Sequence, residues 1–358
     1  MNMNNKNWVS VWGNAVSIAE HHPEAYAKYI TLRYPVYIPF AGDTLRFTFD
    51  NYCGSEAVTV TRATVSAATS PVYEKMPLAC PCKKETICDI TFSKNESVTM
   101  EAHQTAVSDP VSFPVKKGMT LTVSLYFADF TLMQSAVLVT GPLSKGFFSL
   151  GDQTHADALP MDTTKTTNWF YFLSNIELMT AEENHTVICY GDSITAGAWP
   201  DYLTLLARQN PDNHTAFIRR ATSGSRVLRQ YECITYDSYG LKGTNRFPHE
   251  IPTTGADTVI IQQGINDIIH PIGIETNPFR PMSDLPTAKE LIDGYRYYIE
   301  EAKKLHLKVY MGTLLPIFGW RTYATFRDDL RNELNAWIRS AKEIDGCIDF
   351  DLALRGSE

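Results

Sequence analysis

The hydrophobic pattern of the chain changes near residue 185, and the change predicts two regions of different fold class. Before that point, segments rich in Val, Thr, Ile, Tyr and Phe are separated by short turn-forming sequences. Within 119–127 hydrophobic side chains alternate with polar ones, which is typical of a strand with one buried and one solvated face. We therefore predict an all-β sandwich domain in residues 1–184. Its predicted strands cover residues 31–38, 43–50, 57–67, 87–92, 97–100 and 119–127.

The end of this first region has a looser pattern. Residues 141–184 are rich in Gly, Thr, Asp and Asn, and only the stretch 170–178 is apolar enough to form a strand. We interpret the segment as mainly a linker between two domains.

After residue 185, short apolar runs alternate with amphipathic segments. Predicted strands cover 186–190, 215–219, 257–263, 307–313 and 346–350, and predicted helices cover 199–208, a stretch after 225, 287–305 and 324–342. This alternation predicts an α/β domain in residues 185–358, with a doubly wound parallel sheet in a three-layer, flavodoxin-like arrangement.

Composition and charge narrow the classes of partner. The chain has 358 residues, of which 44% are hydrophobic and 20% charged, so it can bury a sizeable core. A net charge of -8 argues against a nucleic-acid partner. Neither a signal-peptide core nor a membrane-spanning run is present, so we predict no membrane partner, and a protein that is cytoplasmic or secreted with its leader removed.

The cysteines do not predict a metal site. Seven cysteines, an odd number scattered along the chain, fit reduced thiols better than a disulfide framework. Cys80, Cys82 and Cys88 lie close in sequence but lack the paired Cys-x2-Cys spacing of a zinc ribbon. We therefore predict no metal and no other cofactor.

Three loops follow predicted strands of the parallel sheet and carry unusual residues. In such sheets ligands bind beyond the carboxyl ends of the strands. Ser193 opens the helix after the first strand, Gly224 follows the second, and Asn266 follows the third. Taken singly, Ser193 could be a helix N-cap and Asn266 could cap a turn. Together at one sheet edge, they predict a ligand site.

These loops resemble the motifs of the GDSL, or SGNH, hydrolases. Gly191-Asp192-Ser193-Ile194 resembles the first block of that family, Gly224 the second-block glycine, and Gly264-Ile265-Asn266-Asp267 the third block. The resemblance implies that Ser193 is the nucleophile. It also implies an oxyanion hole made by the backbone N–H groups of Ser193 and Gly224 and the side-chain amide of Asn266.

The resemblance further implies a reaction and a substrate class. The reaction is hydrolysis of acyl esters through a serine acyl-enzyme. Asp192, Arg226, Asp267 and His270 occupy the same loops and are predicted to line the substrate pocket. A β-sandwich before the hydrolase domain resembles bacterial esterases, and aromatic residues in it favour O-acetyl groups on a carbohydrate; these residues are Trp8, Trp12, Tyr34 and Tyr37. The same aromatic residues could instead form the sandwich core, and a short-chain lipase or esterase remains an alternative.

One family feature has no counterpart here. The family's base is a histidine in an Asp-x-x-His block after the last strand, and the sequence to residue 358 contains no such block. We expect a truncated esterase with weak activity and an exposed apolar face that favours a homo-oligomer. A non-catalytic carbohydrate-binding protein is the alternative.

The other histidines offer one substitute base. His270 follows a strand end and could serve as the base or merely line the pocket. His185, His214 and His306 precede strands, so we expect them at the opposite edge of the sheet.

Overall fold

The computed structural model of the chain describes residues 6–18, 26–230, 239–273 and 280–356. Residues 6–181 of this part contain strands and residues 185–354 contain alternating strands and helices. The first region has the strands β1 (Lys6–Gly13), β2 (Ser17–Ile18), β3 (Tyr26–Ala27), β4 (Ile30–Tyr37), β5 (Gly42–Asp50), β6 (Val58–Val60), β7 (Arg62–Ala67), β8 (Cys88–Ile90), β9 (Val98–Met100), β10 (Thr105–Val107), β11 (Val111–Val115), β12 (Thr120–Phe127), β13 (Thr131–Leu132), β14 (Ser135–Leu138), β15 (Gly146–Leu150), β16 (Lys165–Thr167), β17 (Trp169–Tyr171) and β18 (Leu173–Ala181).

Two antiparallel sheets form the sandwich. One sheet has the strand order β1-β18-β5-β10, with β11 also paired to β5, and the other has the order β16-β15-β4-β12-β7-β8. Their inner side chains form one core, in which Phe47 and Phe49 of β5 join Leu121, Val123 and Leu125 of β12. The all-β prediction for this region is confirmed.

The second face of β12 is not solvated, contrary to the alternating pattern. Every residue of β12 is buried. On this face Arg33 donates hydrogen bonds to Ser124 Oγ at 2.9 Å and to the carbonyl oxygens of Cys80, Gln153 and Ala156 at 3.2, 2.7 and 2.8 Å. Polar side chains are tolerated on this outer face because they find partners in the loops that cover it, whereas the inner face packs against the other sheet.

The predicted linker 141–184 contributes four strands to the sheets of the first region. It contains β15 to β18, and β18 lies inside its sheet between β1 and β5. The apolar stretch 170–178, which the sequence indicated as a possible strand, corresponds to parts of β17 and β18. Its polar residues Asn175 and Glu177 pair with Arg220 and Arg46, respectively. Strand β1, which was not predicted, pairs with β18 along its whole length.

The second region is a doubly wound sheet. Its elements are β19 (His185–Gly191), α1 (Ser193–Ala196), α2 (Trp199–Ala207), β20 (Thr215–Ala221), α3 (Gly243–Glu250), β21 (Ala256–Gln262), α4 (Ile265–Ile269), α5 (Ala288–Lys304), β22 (Lys308–Gly312), α6 (Thr325–Ser340), β23 (Gly346–Ile348) and α7 (Phe350–Leu354). The strands are all parallel, in the order β20-β19-β21-β22-β23. This order confirms the predicted α/β architecture.

The predicted helix directly after Ser225 is absent from the described part of that segment. The backbone amides of Val227 and Leu228 donate to the two carboxylate oxygens of Asp267, at 2.8 and 3.1 Å. This tertiary contact holds residues 226–230 as a loop, and the next described helix is α3.

Two consecutive arginines at the end of β20 bind the two regions together. Arg219 pairs with Asp201 at 2.6 Å and donates to Ser144 Oγ at 3.1 Å. Arg220 donates to the carbonyl oxygens of Asn14 and Ser174 at 2.6 and 2.9 Å. Both arginines are buried, and these hydrogen bonds satisfy their guanidinium groups where the parallel sheet meets the sandwich.

The described residues contain neither a membrane-spanning helix nor a cluster of metal ligands. None of the described helices combines the length and the apolar character needed to cross a membrane. Over the same residues, no cluster of three or more His, Cys, Asp or Glu side chains could hold a metal ion.

Candidate active site

Ser193 is exposed at the first position of α1, immediately after β19. The N-cap of this helix is Asp192, whose Oδ1 accepts a hydrogen bond from the backbone N–H of Ile194 at 3.0 Å. The hydroxyl of Ser193 is therefore not used as the cap.

Gly224 occupies a position that only glycine fits. Its φ of +77° lies in the left-handed region, and a Cβ at this position would overlap the ring of Tyr239. At Gly224 the loop after β20 therefore exposes its backbone to the cavity without an intervening side chain.

Asn266 lies in the first turn of α4 and is buried. Its Nδ2 donates a hydrogen bond to the carbonyl oxygen of Ser225 at 3.0 Å. An amide nitrogen carries two hydrogens, so this contact fixes the side chain and leaves one donor for a ligand. The side chain does not cap α4, whose N-cap is Gly264.

Ser193, Gly224, Asn266 and His270 line one cavity of about 420 Å³. The remaining described lining residues come from the same loops and from the segment after β22: Ile194, Ser223, Tyr239, Ile265, Ile269, Leu315, Pro316, Ile317, Trp320 and Arg321. The three loops singled out in the sequence therefore meet at one site.

Asp192, Arg226 and Asp267 do not line this cavity, although the sequence predicted that they would. All three are buried, because their polar groups bind the loops themselves. Asp192 caps α1, Asp267 accepts the two amides described above, and Arg226 pairs with Asp284 at 3.2 Å. Their contacts hold the loops that form the cavity wall.

A polar network that the sequence did not predict lies beneath the loop of Gly224. Ser225 Oγ accepts hydrogen bonds from Gln263 Nε2 and from Arg246, both at 2.8 Å. Gln263 Oε1 accepts from the hydroxyl of Tyr298 at 2.7 Å, and Arg246 forms a buried ion pair with Glu250 at 2.8 Å. The network fixes Ser225, whose carbonyl oxygen in turn holds Asn266.

Burial shifts the titration of the two carboxyl groups behind the site. It raises the pKa of Asp192 to about 7 and the pKa of Asp267 to about 6. Desolvation disfavours the charged carboxylate, and the neighbouring Asp267 charge adds to the effect at Asp192.

His270 lines the cavity in an environment that opposes its protonation. Its ring lies 5.6 Å from the ring of Tyr239 in a stacked arrangement. Burial, together with the positive charges of Arg226, Arg280 and Arg321, lowers the pKa of His270 to about 3. A general base must become positively charged as it takes the proton, so this environment makes His270 a weak base.

The other histidines lie where their sequence positions predicted. His185 Nε2 contacts Thr215 Oγ1 and His214 Nδ1 contacts Asn184 Oδ1, both at 2.9 Å, at the amino ends of the strands. His306 lies just before β22 at the same edge.

The segment after β22 carries aromatic residues that the sequence did not single out, and one of them, Trp320, lines the cavity. Phe318 is 87% exposed and Trp320 is 46% exposed, and Tyr323 packs edge-on against Phe318. Exposed apolar side chains that lie next to one another, unlike scattered single ones, commonly mark a binding surface. Their position directly after Pro316, in a stretch without helical periodicity, was the available sequence clue.

An exposed serine after the first strand of a doubly wound sheet, beside backbone and amide donors, is the arrangement of a serine-dependent hydrolase. Residues 189–358 match the GDSL-like lipase/acylhydrolase family. This part of the chain therefore belongs to that family, as its motifs predicted, and the protein is a hydrolase of the lipase and acylhydrolase type.

Comparison with solved structures gives distant likenesses. A GDSL-like lipase from Bacteroides thetaiotaomicron VPI-5482 has 20% identity over 49% of this chain and 73% of that chain, with a TM-score of 0.34. An active-site mutant of a family two carbohydrate esterase from Clostridium thermocellum has 10% identity over 97% of this chain and 88% of that chain, with a TM-score of 0.34. At such scores neither likeness supports a functional argument. No curated protein matches the chain.

Proposed function

We propose that the protein is a serine esterase whose nucleophile is Ser193 and whose oxyanion hole includes Gly224 and Asn266. The observation that carries the proposal is the meeting of these three residues in one cavity. Attack of Ser193 Oγ on an ester carbonyl places negative charge on the carbonyl oxygen. Backbone N–H groups and the free hydrogen of Asn266 Nδ2 stabilise this charge, and each such donor lowers the barrier by about 3 kcal/mol. Loss of the alcohol leaves an acyl-enzyme that water hydrolyses.

O-Acetyl groups on a carbohydrate are the proposed substrate. The sandwich aromatics give little support, because Tyr34 and Tyr37 are buried and Arg46 covers the ring of Trp8. Trp320 is the better candidate for stacking on a sugar ring, since it is exposed at the cavity rim.

We further propose that residues 1–358 alone turn over slowly. In the described part of the cavity wall His270 is the only histidine, and its low pKa makes it a poor acceptor for the Ser193 proton. A small external base should compensate for this weakness.

Hydrolysis of p-nitrophenyl acetate, with and without free imidazole, tests both statements. We expect slow release of p-nitrophenol, acceleration by imidazole beyond its effect on the ester in buffer, and loss of the enzymatic part in Ser193→Ala. Turnover that Ser193→Ala does not change would refute the assignment of the nucleophile. Fast turnover without imidazole, abolished in His270→Ala, would instead make His270 an effective base.

Carbohydrate binding without turnover is the second candidate function, favoured by the poor basicity of His270. Labelling of the intact protein by a fluorophosphonate, followed by mass spectrometry, separates the two. An activated Ser193 reacts with the reagent, whereas a binding protein should remain unlabelled and bind acetylated oligosaccharides in a manner sensitive to Asn266→Ala.

A further inference from the structure

The charge on the cavity wall is one-sided. Arg321 is the charged side chain among the described lining residues, and no carboxylate of the described chain lines the cavity. This positive site occurs in a protein whose net charge is -8. The local charge therefore does not follow from overall composition.

Arg321 differs from the buried arginines of the same region in its contacts. Arg219, Arg226 and Arg246 each pair with a carboxylate, at 2.6, 3.2 and 2.8 Å. Within the described residues, no acidic side chain lies within ion-pairing distance of Arg321, whose guanidinium lies 5.5 Å from the ring of Trp320. The guanidinium is exposed and can form two parallel hydrogen bonds with a carboxylate.

The positive field extends into the cavity. Arg321 lines the cavity and places a positive charge near His270, which lines the same wall, and Arg226 adds to this charge although Asp284 compensates it in part. An anionic group that enters the cavity therefore meets a favourable potential, whereas a cationic group is repelled.

We propose that this cavity selects esters that carry a carboxylate, and that Arg321 binds this carboxylate while Trp320 covers the adjoining carbon skeleton. The inference rests on the proposed function in treating the bound molecule as an ester substrate. In combination with that function, it assigns the substrate to acylated acidic carbohydrates rather than neutral ones.

Two pairs of small esters test the proposal on either side of the scissile bond. One pair is 4-acetoxybenzoate and its methyl ester, in which the charge lies on the alcohol side. The other is phenyl hemisuccinate and its methyl ester, in which the charge lies on the acyl side. Each kcat/KM is divided by the second-order rate constant for hydroxide-catalysed hydrolysis of the same ester. The spontaneous rate is not used as the reference, because the carboxylate of phenyl hemisuccinate attacks its own ester carbonyl in that reaction.

In at least one pair we expect the anionic ester to be preferred by about tenfold, the effect of one partly exposed charge-assisted contact. Arg321→Ala should abolish the preference, Arg321→Lys should retain part of it, and Arg321→Glu should reverse it. Arg296→Ala is the matched control. It removes the same charge as Arg321→Ala, but from an exposed position on α5. Absence of a preference in both pairs, or a preference unchanged in Arg321→Ala, would overturn the proposal.

Binding of the amide analogues 4-acetamidobenzoate and succinanilate separates this inference from the proposed function, because amides need no turnover. Arg321-dependent binding of either analogue to Ser193→Ala, in a protein that hydrolyses no ester, would contradict only the esterase. Ser193-dependent hydrolysis that is indifferent to Arg321 and to substrate charge would contradict only the carboxylate site.

Discussion

The cavity has two walls that differ in burial and in bonding. The inner wall, formed by the loops after β19, β20 and β21, carries Gly224 and Asn266 on a network of buried hydrogen bonds. The outer wall, residues 315–323 after β22, carries Phe318 and Trp320 largely in solvent. Donors for a developing charge are effective only when they are held in place, whereas a surface that contacts the remote part of a substrate can remain open. The residues proposed to stabilise the transition state therefore lie on the inner wall, and those proposed to select the substrate lie on the outer wall.

The ion pair beneath the inner wall should give the largest effect on stability. Glu250→Gln leaves the buried guanidinium of Arg246 without its counter-charge, which typically costs about 3–5 kcal/mol in the free energy of unfolding. Urea unfolding measures this loss. The matched change Asp293→Asn, in the exposed pair with Lys289, should leave unfolding nearly unchanged. Equal losses in the free energy of unfolding for Glu250→Gln and Asp293→Asn would contradict the prediction that the buried ion pair matters more than the exposed one.

The buried carboxyl group of Asp192 should make stability depend on pH. Its pKa rises from about 4 in the unfolded chain to about 7 in the fold, so the folded state binds the proton more tightly. The resulting stability is complete below pH 4 and is lost as pH rises through 7. Asp192→Asn removes this loss, and its free energy of unfolding should exceed that of the original protein by up to about 4 kcal/mol at pH 8. Parallel unfolding curves from pH 4 to pH 8 for the two proteins would contradict the assignment.

The proposed oxyanion donor should affect rate more than substrate binding. Asn266→Ala removes one donor to the transition state and should lower kcat for p-nitrophenyl acetate by about 10²–10³, or about 3 kcal/mol. KM should change little, because the oxyanion exists only after attack. A loss expressed mainly in KM would assign Asn266 to ground-state binding.

Two adjacent glutamines allow a finer test of the inner wall. Gln263→Met deletes the hydrogen bonds to Ser225 and Tyr298, which should cost about 1–3 kcal/mol in stability and lower kcat about tenfold. Gln262→Met is the control, since the side chain of Gln262 has, among the described residues, a single long hydrogen bond, which it accepts from Thr195 Oγ1 at 3.4 Å. Thermal unfolding and kinetics of both variants should show the larger losses at Gln263. The reverse order would exclude the network as the support of Ser225.

The outer wall should give the smallest effect on stability. Trp320→Ala removes an exposed side chain and should change the free energy of unfolding by less than about 0.5 kcal/mol. KM for an acetylated oligosaccharide should rise several-fold while kcat is retained. A fall in kcat for p-nitrophenyl acetate, which is too small to reach the rim, would show that the two walls are coupled.

The parallel sheet was predictable because its local patterns agree with its tertiary structure. The apolar runs at β19, β21 and β22 are short and bounded by turns, and α5 begins with a capping box between Thr287 and Glu290. The three site loops follow from the rule that parallel strands present their carboxyl ends at one edge.

Other features depend on contacts between residues far apart in sequence. Ser193 and Asp192 are both good N-cap types, and only the three-dimensional start of α1 assigns the cap to Asp192. Ser225 Oγ accepts hydrogen bonds from Gln263 and Arg246, which lie 38 and 21 residues away from it in sequence. No local sequence pattern therefore identifies the network. The central position of β18 in its sheet was not predictable, because the partners of its polar residues are distant in sequence: Asn175 pairs with Arg220 of the second region and Glu177 with Arg46 of β5.

The two arginines of β20 limit how this hydrolase can be recombined with other proteins. A chimera that transplanted residues 185–358 onto a different accessory module would lose the sandwich acceptors of Arg220, namely the carbonyl oxygens of Asn14 and Ser174. The guanidinium group would keep its hydrogen bond to the carbonyl oxygen of Glu250, but its terminal N–H groups would face a foreign surface without these acceptors. Residues 185–358 therefore cannot simply be transferred to another protein. A functional fusion would also have to supply hydrogen-bond acceptors for Arg220 at the new domain interface.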